Sequence, residues 1–202
     1  QGIFINTLLD RTKTSGGTSD DSILTLVGGK LAKTTVKNED GGAVTTGWRV
    51  NLKAQGAVDR ILSDQSVAQV SGSGKFIFPL GKGRVISRAD IGLTSAGSLE
   101  DLPKSLRFFA GGGNSVRGYD MEAIGEVVGA GSVIGGKHLL SGSVEYEYPI
   151  YEGWGVATFI DVGDAFNSWD DMDLKYGIGI GARYRSPIGP VRVDVGFPEG
   201  SF

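Results

Sequence analysis

The chain has 202 residues, a formal net charge of −3 and 34 glycines, and hydrophobic residues make up 40% of it. This length suits one large all-β domain or two small ones, and the hydrophobic content excludes a disordered low-complexity chain. The small net charge argues against nucleic acid or an anionic membrane surface as a partner, and the absence of cysteine excludes a disulfide framework and a thiolate zinc site.

A period of two runs through the chain with almost no helical period, and this predicts β-strands. Nine strands are expected, in the order Gly2 to Asp10, Ser22 to Thr35, Gly47 to Gly56, Ser66 to Leu80, Gly83 to Thr94, Leu140 to Tyr148, Trp154 to Gly163, Leu174 to Arg185 and Val191 to Phe197. The fourth and fifth form an expected hairpin around Gly81-Lys82. The pattern assigns no facing to the first two strands.

Most strands from Gly47 onward have one aliphatic and aromatic face and one face of small and charged residues. In the strand from Leu174, for example, Ile178 and Ile180 alternate with glycines and arginines. Aromatic residues near strand ends lie on the apolar face, as an interfacial girdle would. These residues are Tyr146, Tyr148, Trp154, Tyr176 and Tyr184.

The last five connections alternate in length. Gly81-Lys82, Pro149 to Gly153 and Ser186 to Pro190 are short, whereas Ser95 to Leu139 and Asp164 to Asp173 are longer. Short turns on one side and longer loops on the other are typical of an outer-membrane barrel. A spanning β-strand needs only about 9–11 alternating residues, so the lack of a ~20-residue apolar helix does not exclude a membrane protein.

A soluble β-sandwich also has alternating strands, with its apolar face as the core. Several expected strands, however, run to about ten residues or more, whereas strands of globular proteins usually have about 5–6. The polar faces also carry glycine and charges of both signs, which suits a crowded lumen better than an open surface. We therefore favour an all-β, antiparallel transmembrane β-barrel, with residues 1–202 as a single domain.

A motif in the longest connection leads to a family resemblance. The chain resembles the BamA/TamA superfamily of outer-membrane assembly and translocation barrels, the bacterial surface antigen family, and most closely its TamA-like branch. The resemblance covers Gly47 to Phe197 well and the residues before Gly47 loosely. One such motif is weak evidence, whereas four in the same order are specific. The matching segments are Leu106-Arg107-Phe108-Phe109-Ala110-Gly111-Gly112 with Ser115-Val116-Arg117-Gly118-Tyr119, then Phe159-Ile160-Asp161-Val162-Gly163, Gly177 to Arg183 with Ser186-Pro187-Ile188-Gly189-Pro190, and Val191-Arg192-Val193-Asp194.

In that family the Arg-Gly-aromatic motif lies on a large loop that folds back into the barrel, so residues 95–139 are expected to fold into the lumen. The resemblance implies a contact between Arg117 and Asp161, and the strand facings permit it, with Glu145 on the neighbouring strand as a second carboxylate. Gly118 allows the loop tip to turn or to approach a wall closely. Tyr119 is expected against a lumen stripe of glycines, Gly177, Gly179 and Gly181. Without the companion motifs, Arg117 would be interpreted as a solvated loop residue.

The sequence offers little for catalysis or metal binding. His138 is the only histidine, and a lone histidine at a strand start is more often a surface or lumen residue than a ligand. The Gly111 to Gly113 run lacks the Lys and the helix of a phosphate-binding loop, and no nucleophile elbow occurs. Asp170 to Asp173 is more simply a solvated acidic loop than a calcium site. We expect no catalytic residue, no metal and no cofactor.

The expected strands do not close a barrel. Nine open strands would leave two unpaired edges, which lipid does not tolerate. The chain also begins at Gln1 without an initiator methionine or a signal peptide, which is typical of a processed or excised piece. We therefore expect the C-terminal part of a sixteen-stranded barrel, with about six early strands and the last one outside this sequence. Alternatively, Phe202 is a genuine terminus and partner strands complete the sheet.

The resemblance implies a non-enzymatic protein of the bacterial outer membrane that assists insertion or translocation of other envelope proteins, with an inward loop latched by Arg117. Its expected partners are outer-membrane lipids, periplasmic domains or partner proteins, and substrate envelope proteins, with no nucleic acid among them. Two alternatives stay open: the barrel anchor of a fused secreted enzyme such as a patatin-type lipase, and a passive channel.

Overall fold

The structure is a computed structural model that describes residues 2–13, 19–38, 44–57, 66–100, 102–129 and 131–201. Eleven strands occur in these ranges, and they are β1 Gly2–Lys13, β2 Ser19–Asn38, β3 Val44–Ala57, β4 Val67–Leu80, β5 Gly83–Ser95, β6 Glu126–Val128, β7 Ser132–Gly135, β8 His138–Tyr151, β9 Trp154–Phe166, β10 Lys175–Ser186 and β11 Gly189–Pro198. Two single-turn 3-10 helices, Lys104–Leu106 and Trp169–Asp171, complete the described elements.

Nine of these strands form one antiparallel sheet in the order β1-β2-β3-β4-β5-β8-β9-β10-β11. All nine predicted strands are therefore confirmed, and so is the all-β class. The short hairpin of β6 and β7 was not predicted, because three or four residues between glycines give no readable period. None of the helices in the described ranges is long and apolar enough to cross a membrane. Within these ranges β1 and β11 are the two sheet edges, and closure into a sixteen-stranded barrel stays a prediction.

The two faces of the sheet differ sharply in exposure. On the face that we call the apolar face, large hydrophobic side chains are open to the surroundings, and Ile180 and Val193 are more than 60% exposed. On the opposite, polar face, Glu145 and Asp161 are buried, at 2% and 0% exposure. Soluble monomers rarely leave a contiguous apolar surface of this extent uncovered. The predicted facing of the later strands is thus observed.

Two-residue turns join neighbouring strands at one end of the sheet. They lie at 81–82, 152–153 and 187–188, and Gly81 and Gly153 have φ of 60° and 75°. Such tight hairpin turns need positive φ, which glycine adopts at little cost. At the opposite end the 96–137 segment joins β5 to β8 and the 167–174 segment joins β9 to β10. Long connections therefore lie together at one end.

The 96–137 segment begins by packing onto the polar face of β2, β3 and β4. Leu99, Leu102 and Leu106 lie in a buried cluster with side chains from those strands, such as Leu26 and Val67. The burial of three leucines anchors this part of the segment through the hydrophobic effect.

A chain of polar contacts lies beside that cluster. Gln55 Nε2 donates to Gln69 Oε1 at 2.7 Å. Gln69 Nε2 in turn donates to the Leu106 carbonyl oxygen at 2.7 Å and to Thr94 Oγ1 at 2.9 Å. These hydrogen bonds offset the cost of burying the two amide groups, of which only Gln55 Oε1 lacks a partner in the described ranges. The segment is thus attached to the sheet before it reaches the arginine motif.

Candidate functional site

The glycines before Arg117 shape the loop that presents it. Ala110 exchanges backbone hydrogen bonds with Ile124 at 2.9 and 3.0 Å, which brings the two arms of the loop together. Gly111 and Gly112 then turn the chain with φ of 99° and 89°. The Gly112 N–H donates to the Tyr119 carbonyl oxygen at 3.1 Å, which closes the tip. The glycine run therefore has a structural use, because other residues adopt such φ values only with strain.

Arg117 leaves this tip and lies buried against the polar face, with 6% of its side chain exposed. Its Nε donates to Asp161 Oδ2 at 2.7 Å, and its Nη2 donates to Asp161 Oδ1 at 2.9 Å. The Arg117 backbone N–H adds a third hydrogen bond to Asp161 Oδ2, at 3.0 Å. Two parallel N–H···O bonds form the bidentate geometry that makes an arginine–carboxylate pair both strong and directional.

Further groups complete the surroundings of the Arg117 guanidinium. Its Nη1 donates to Glu145 Oε2 at 2.6 Å and lies 3.3 Å from Asp194 Oδ2, while its Nη2 lies 3.3 Å from Ser143 Oγ. The Phe159 ring stacks beneath it, with the ring centroid 3.3 Å from the arginine Cζ. The planar guanidinium thus uses its edges for hydrogen bonds and its face for a cation–π contact. One loop residue contacts β8, β9 and β11.

A second arginine, on β10, uses the same carboxylates. Arg183 donates to Glu145 Oε1 at 2.8 Å, to Glu147 Oε1 at 2.9 Å and to Asp194 Oδ1 at 2.6 Å. Glu147 also accepts from Arg84 Nε at 2.7 Å and lies 3.2 Å from Arg192 Nη2. We call these paired side chains the ion-pair cluster. Its members are Arg84, Arg117, Arg183, Arg192, Glu145, Glu147, Asp161 and Asp194.

The charges of this cluster balance, four arginines against four carboxylates, as far as the described part of the chain shows. Burial alone would lower the pKa of the Arg117 guanidinium, but its hydrogen bonds to Asp161 and Glu145 hold that pKa above its ordinary value. The loop arginine therefore stays charged, and removal of either kind of partner would leave a buried charge uncompensated.

Glycines on the polar face make room for these groups. A side chain on Gly177 would overlap the Arg117 carbonyl oxygen, one on Gly179 the Phe159 ring, and one on Gly181 the Asp194 carboxylate. At the loop tip Gly118 has a φ of 102°, and an added Cβ there would lie 2.8 Å from the Phe197 backbone. The glycines are needed for close approach of the loop and for the ion-pair cluster.

Tyr119 lies elsewhere than expected. The atoms closest to Gly177 belong to Arg117 and Val116, and Tyr119 packs against the buried cluster of Ala110, Val116 and Ile124. The ring therefore supports the loop from within, and the space above the glycine stripe is occupied by the loop backbone and other side chains. The physical reason is that the loop approaches the sheet too closely to leave a gap for a ring.

The structure thus brings Arg117, Asp161 and Glu145 together as the sequence suggested, and it adds partners that were not singled out. Arg183, Asp194 and Ser143 all fall on the polar face of their strands by the period of two. That alternation could have identified them as possible partners. The order in which arginines and carboxylates pair depends on the strand register, which the sequence does not show.

The other sequence candidates lie away from this cluster. His138 packs against the rings of Phe166 and Trp169, with centroids 5.6 and 5.9 Å apart. In the acidic loop, Ser168 caps the 3-10 turn by accepting from the Asp170 N–H at 3.4 Å, and Lys175 pairs with Asp173. No group of three or more histidine or acidic side chains suited to a metal ion occurs in the ranges that the structure describes.

Arg183 provides a first prediction. Replacing Arg183 with alanine removes a buried cation shared by Glu145, Glu147 and Asp194, so the thermal midpoint of the folded barrel should fall by several °C. The effect should be less than additive with Arg117→Ala, because both arginines share Glu145 and Asp194. The thermal midpoints of the wild type, the two single variants and the double variant are measured by heat-modified migration in electrophoresis. Strictly additive losses would contradict a shared cluster. Arg185→Ala, in the same strand, is the matched control.

An extended antiparallel sheet with one exposed apolar face, and a long connection held on the other face by a buried arginine, defines a β-barrel of the outer-membrane class. Residues 25–200 match the model of the Omp85 superfamily domain, and the chain belongs to that superfamily. The family and the fold place it in the bacterial outer membrane, as predicted. The TamA-like branch is not singled out by these matches and stays a prediction.

Two relatives are similar to parts of this chain. The outer membrane protein assembly factor BamA of Nitratidesulfovibrio vulgaris is 36% identical over 106 residues, which are 48% of this chain and 13% of that protein. The chloroplastic outer envelope protein 80 of Arabidopsis thaliana is 28% identical over 139 residues, 63% of this chain and 16% of that protein. The chain thus spans under a fifth of either relative.

A solved structure shows the same fold. The crystal structure of BamA from Haemophilus ducreyi lacking POTRA domains 1–3 superposes with a TM-score of 0.74 at 18% sequence identity. The match covers 92% of this chain and 41% of that one. The fold of this chain is thus similar to that of part of the solved BamA structure.

Proposed function

We propose that this chain is the part of an outer-membrane barrel that assists insertion or translocation of other envelope proteins, and that the 96–137 segment is an inward loop latched by Arg117. The observation that carries the proposal is the buried ion pair of Arg117 with Asp161, found within a member of the Omp85 superfamily. In this proposal the polar face lines the lumen and the apolar face meets lipid. The role is non-enzymatic, and no cofactor takes part.

The latch has a physical consequence for the lumen. Arg117 contacts carboxylates on β8, β9 and β11, and Arg183 on β10 completes the set. A docked loop therefore fixes four neighbouring strands relative to one another and occupies the space over them. A released loop would free both the strands and the space. Substrate envelope proteins and periplasmic partner domains are the partners that such a change would serve.

The experiment is reconstitution of the full-length protein into phospholipid vesicles, followed by addition of an unfolded outer-membrane β-barrel client. The expected result is faster insertion of the client, measured by protease protection, and loss of that acceleration in Arg117→Ala. No acceleration by the wild-type protein would overturn the proposed role. Hydrolysis of vesicle phospholipids would support the alternative of a lipase anchor, and steady high ion conductance would support a passive channel. No structural observation favours either alternative.

The orientation of the faces gives a separate prediction. Ile180 is 64% exposed on the apolar face, so Ile180→Arg should cost about 2–4 kcal/mol if it lies at the bilayer midplane. The measurement is the free energy of unfolding in vesicles, obtained by urea titration. Ile188→Arg is the matched control, because Ile188 is 99% exposed but lies in a two-residue turn. Equal effects at the two positions would contradict a lipid-facing apolar surface.

A further inference from the structure

Arg88, on β5, borders the ion-pair cluster without belonging to it. Its Nη2 lies 3.2 Å from Ser143 Oγ, and the same hydroxyl oxygen lies 3.3 Å from Arg117 Nη2. Two guanidinium groups therefore meet at one serine. Across the part of the chain that the structure describes, no carboxylate lies within ion-pair distance of Arg88. Like charges this close repel each other, so the docked Arg117 offsets part of the attraction that the Asp161 and Glu145 carboxylates exert on Arg88.

The strand register shows where Arg88 can find a counter-charge. In one row across the polar face Arg49 pairs with Lys75, Lys75 with Arg88, Arg88 with Ser143, and Ser143 with Asp161. On the β4 side, Arg88 thus meets only cations, and like charges directly opposite destabilise a sheet.

On the β8 side, the row continues through Ser143 to the Asp161 carboxylate. Asp90 is on the same face of β5, but it is hydrogen-bonded to Ser141 at 3.4 Å. Two strand spacings, about 10 Å, separate the backbones of Arg88 and Asp161. Their side chains point to the same face, so together they can close that distance.

Withdrawal of the loop would affect the carboxylates of the cluster differently. Glu145 and Asp194 would keep Arg183, at 2.8 and 2.6 Å. Asp161 would be left without a cation, because Arg117 is its only ion-pair partner in the described ranges. Loss of its cation makes the Asp161 carboxylate oppose release of the loop, even though withdrawal of the loop admits water to it. A second cation for Asp161 would therefore favour opening of the latch.

We propose that Arg88 is this replacement cation: when Arg117 leaves, the Arg88 guanidinium passes Ser143 and pairs with Asp161. The inference rests on the proposed latch and deepens it. Exchange of one arginine for another keeps the cluster neutral in both states and relieves the repulsion between Arg88 and Arg117. Arg88 is thus a positioning residue that favours the released loop, while Arg117 favours the docked one.

The test is a pair of double variants of the full-length protein. Arg88→Gln should leave the thermal midpoint of the wild type unchanged or raise it, because it removes a repulsion. In the Arg117→Ala background the same change should lower the midpoint by about 3 °C or more, because Asp161 loses its second cation. Arg88→Lys keeps the charge and should avoid most of that loss. Arg49→Gln, two strands away in the same row, is the matched control and should act alike in both backgrounds.

A direct readout of the loop completes the test. Spin labels are attached to Asn114→Cys in the loop tip and Ile188→Cys in the turn. The distance between them, measured by pulsed electron paramagnetic resonance, gives the docked and released populations of the loop. With the latch weakened by Arg117→Lys, Arg88→Gln should reduce the released population about tenfold. Equal effects of Arg88→Gln on stability in both backgrounds, or an unchanged released population, would overturn the exchange but leave the latch standing. A harmless Arg117→Ala would instead remove the latch itself.

Discussion

Replacing Arg117 with alanine is expected to destabilise the docked loop by about 3–5 kcal/mol, the usual cost of breaking a buried ion pair from one side. The change leaves Asp161 buried without its bidentate partner and removes one of the three cations within ion-pair distance of Glu145 in the described ranges. A loss of this size shifts the balance between docked and released loop by more than about a hundredfold. The readouts are the thermal midpoint of the full-length barrel and the rate of client insertion.

Two further variants control for the loss of a positive charge, one at position 117 and one elsewhere on the loop. Arg117→Lys keeps the charge but cannot donate in a planar fork, so it should recover only part of the loss. Lys104→Ala removes a cation that is 72% exposed and 3.9 Å from Glu122, and it should have almost no effect. If Arg117→Ala behaves like Lys104→Ala, the arginine is not a latch.

A disulfide separates loss of the latch from loss of the loop position. An added Cβ at Gly163 would lie 3.1 Å from Val116 Cγ2, so Val116→Cys with Gly163→Cys brings two thiols close together. The same Cβ would lie 2.9 Å from Ser141 Cβ, so the reduced double-cysteine variant is the reference for the cost of that shift. The chain has no cysteine of its own. In Arg117→Ala, the oxidised pair should restore the thermal midpoint, and reduction should remove the gain. Failure to restore it would show that Arg117 acts other than by holding the loop.

The sequence predicted the parts of the fold that follow from alternation. Strand positions and facings depend on which residues are apolar, and glycine-rich turns mark where strands end. The pairing of Arg117 with Asp161 was implied by family resemblance and permitted by facing. Alternation alone gives no register, so it could not show that Ser143 and Asp161 lie in one row.

Other features of the structure could not be predicted from the alternation of residues. The β6–β7 hairpin is three or four residues per strand, too short for a period to be recognised. The place of Tyr119 depends on how closely the loop approaches β10, which only the three-dimensional packing determines. The role of Arg183 likewise requires knowing that β8, β10 and β11 bring their charges together. For Tyr119 and Arg183 the missing information is a distance between segments far apart in sequence.

Gly177→Ala is expected to weaken docking of the loop, although it adds only a methyl group. That methyl would overlap the Arg117 carbonyl oxygen, which belongs to the backbone and cannot rotate away. The loop must therefore shift, and because a bidentate pair needs precise alignment, the contact of Arg117 with Asp161 is weakened as well. We expect a loss of about 1–3 kcal/mol in docking, typical of overpacking, measured as a lower thermal midpoint and more released loop.

Gly142→Ala separates this effect from the general cost of placing alanine in a strand. Gly142 lies in β8, and an added Cβ there meets Val162 Cγ1 at 3.6 Å, an ordinary contact. It should leave loop docking unchanged. The Arg117→Ala background then tests the cause: once the ion pair is gone, Gly177→Ala should add little further release. If Gly177→Ala has the same effect in that background, Gly177 shapes the sheet independently of the latch. Its role would then not be to allow close approach of the loop.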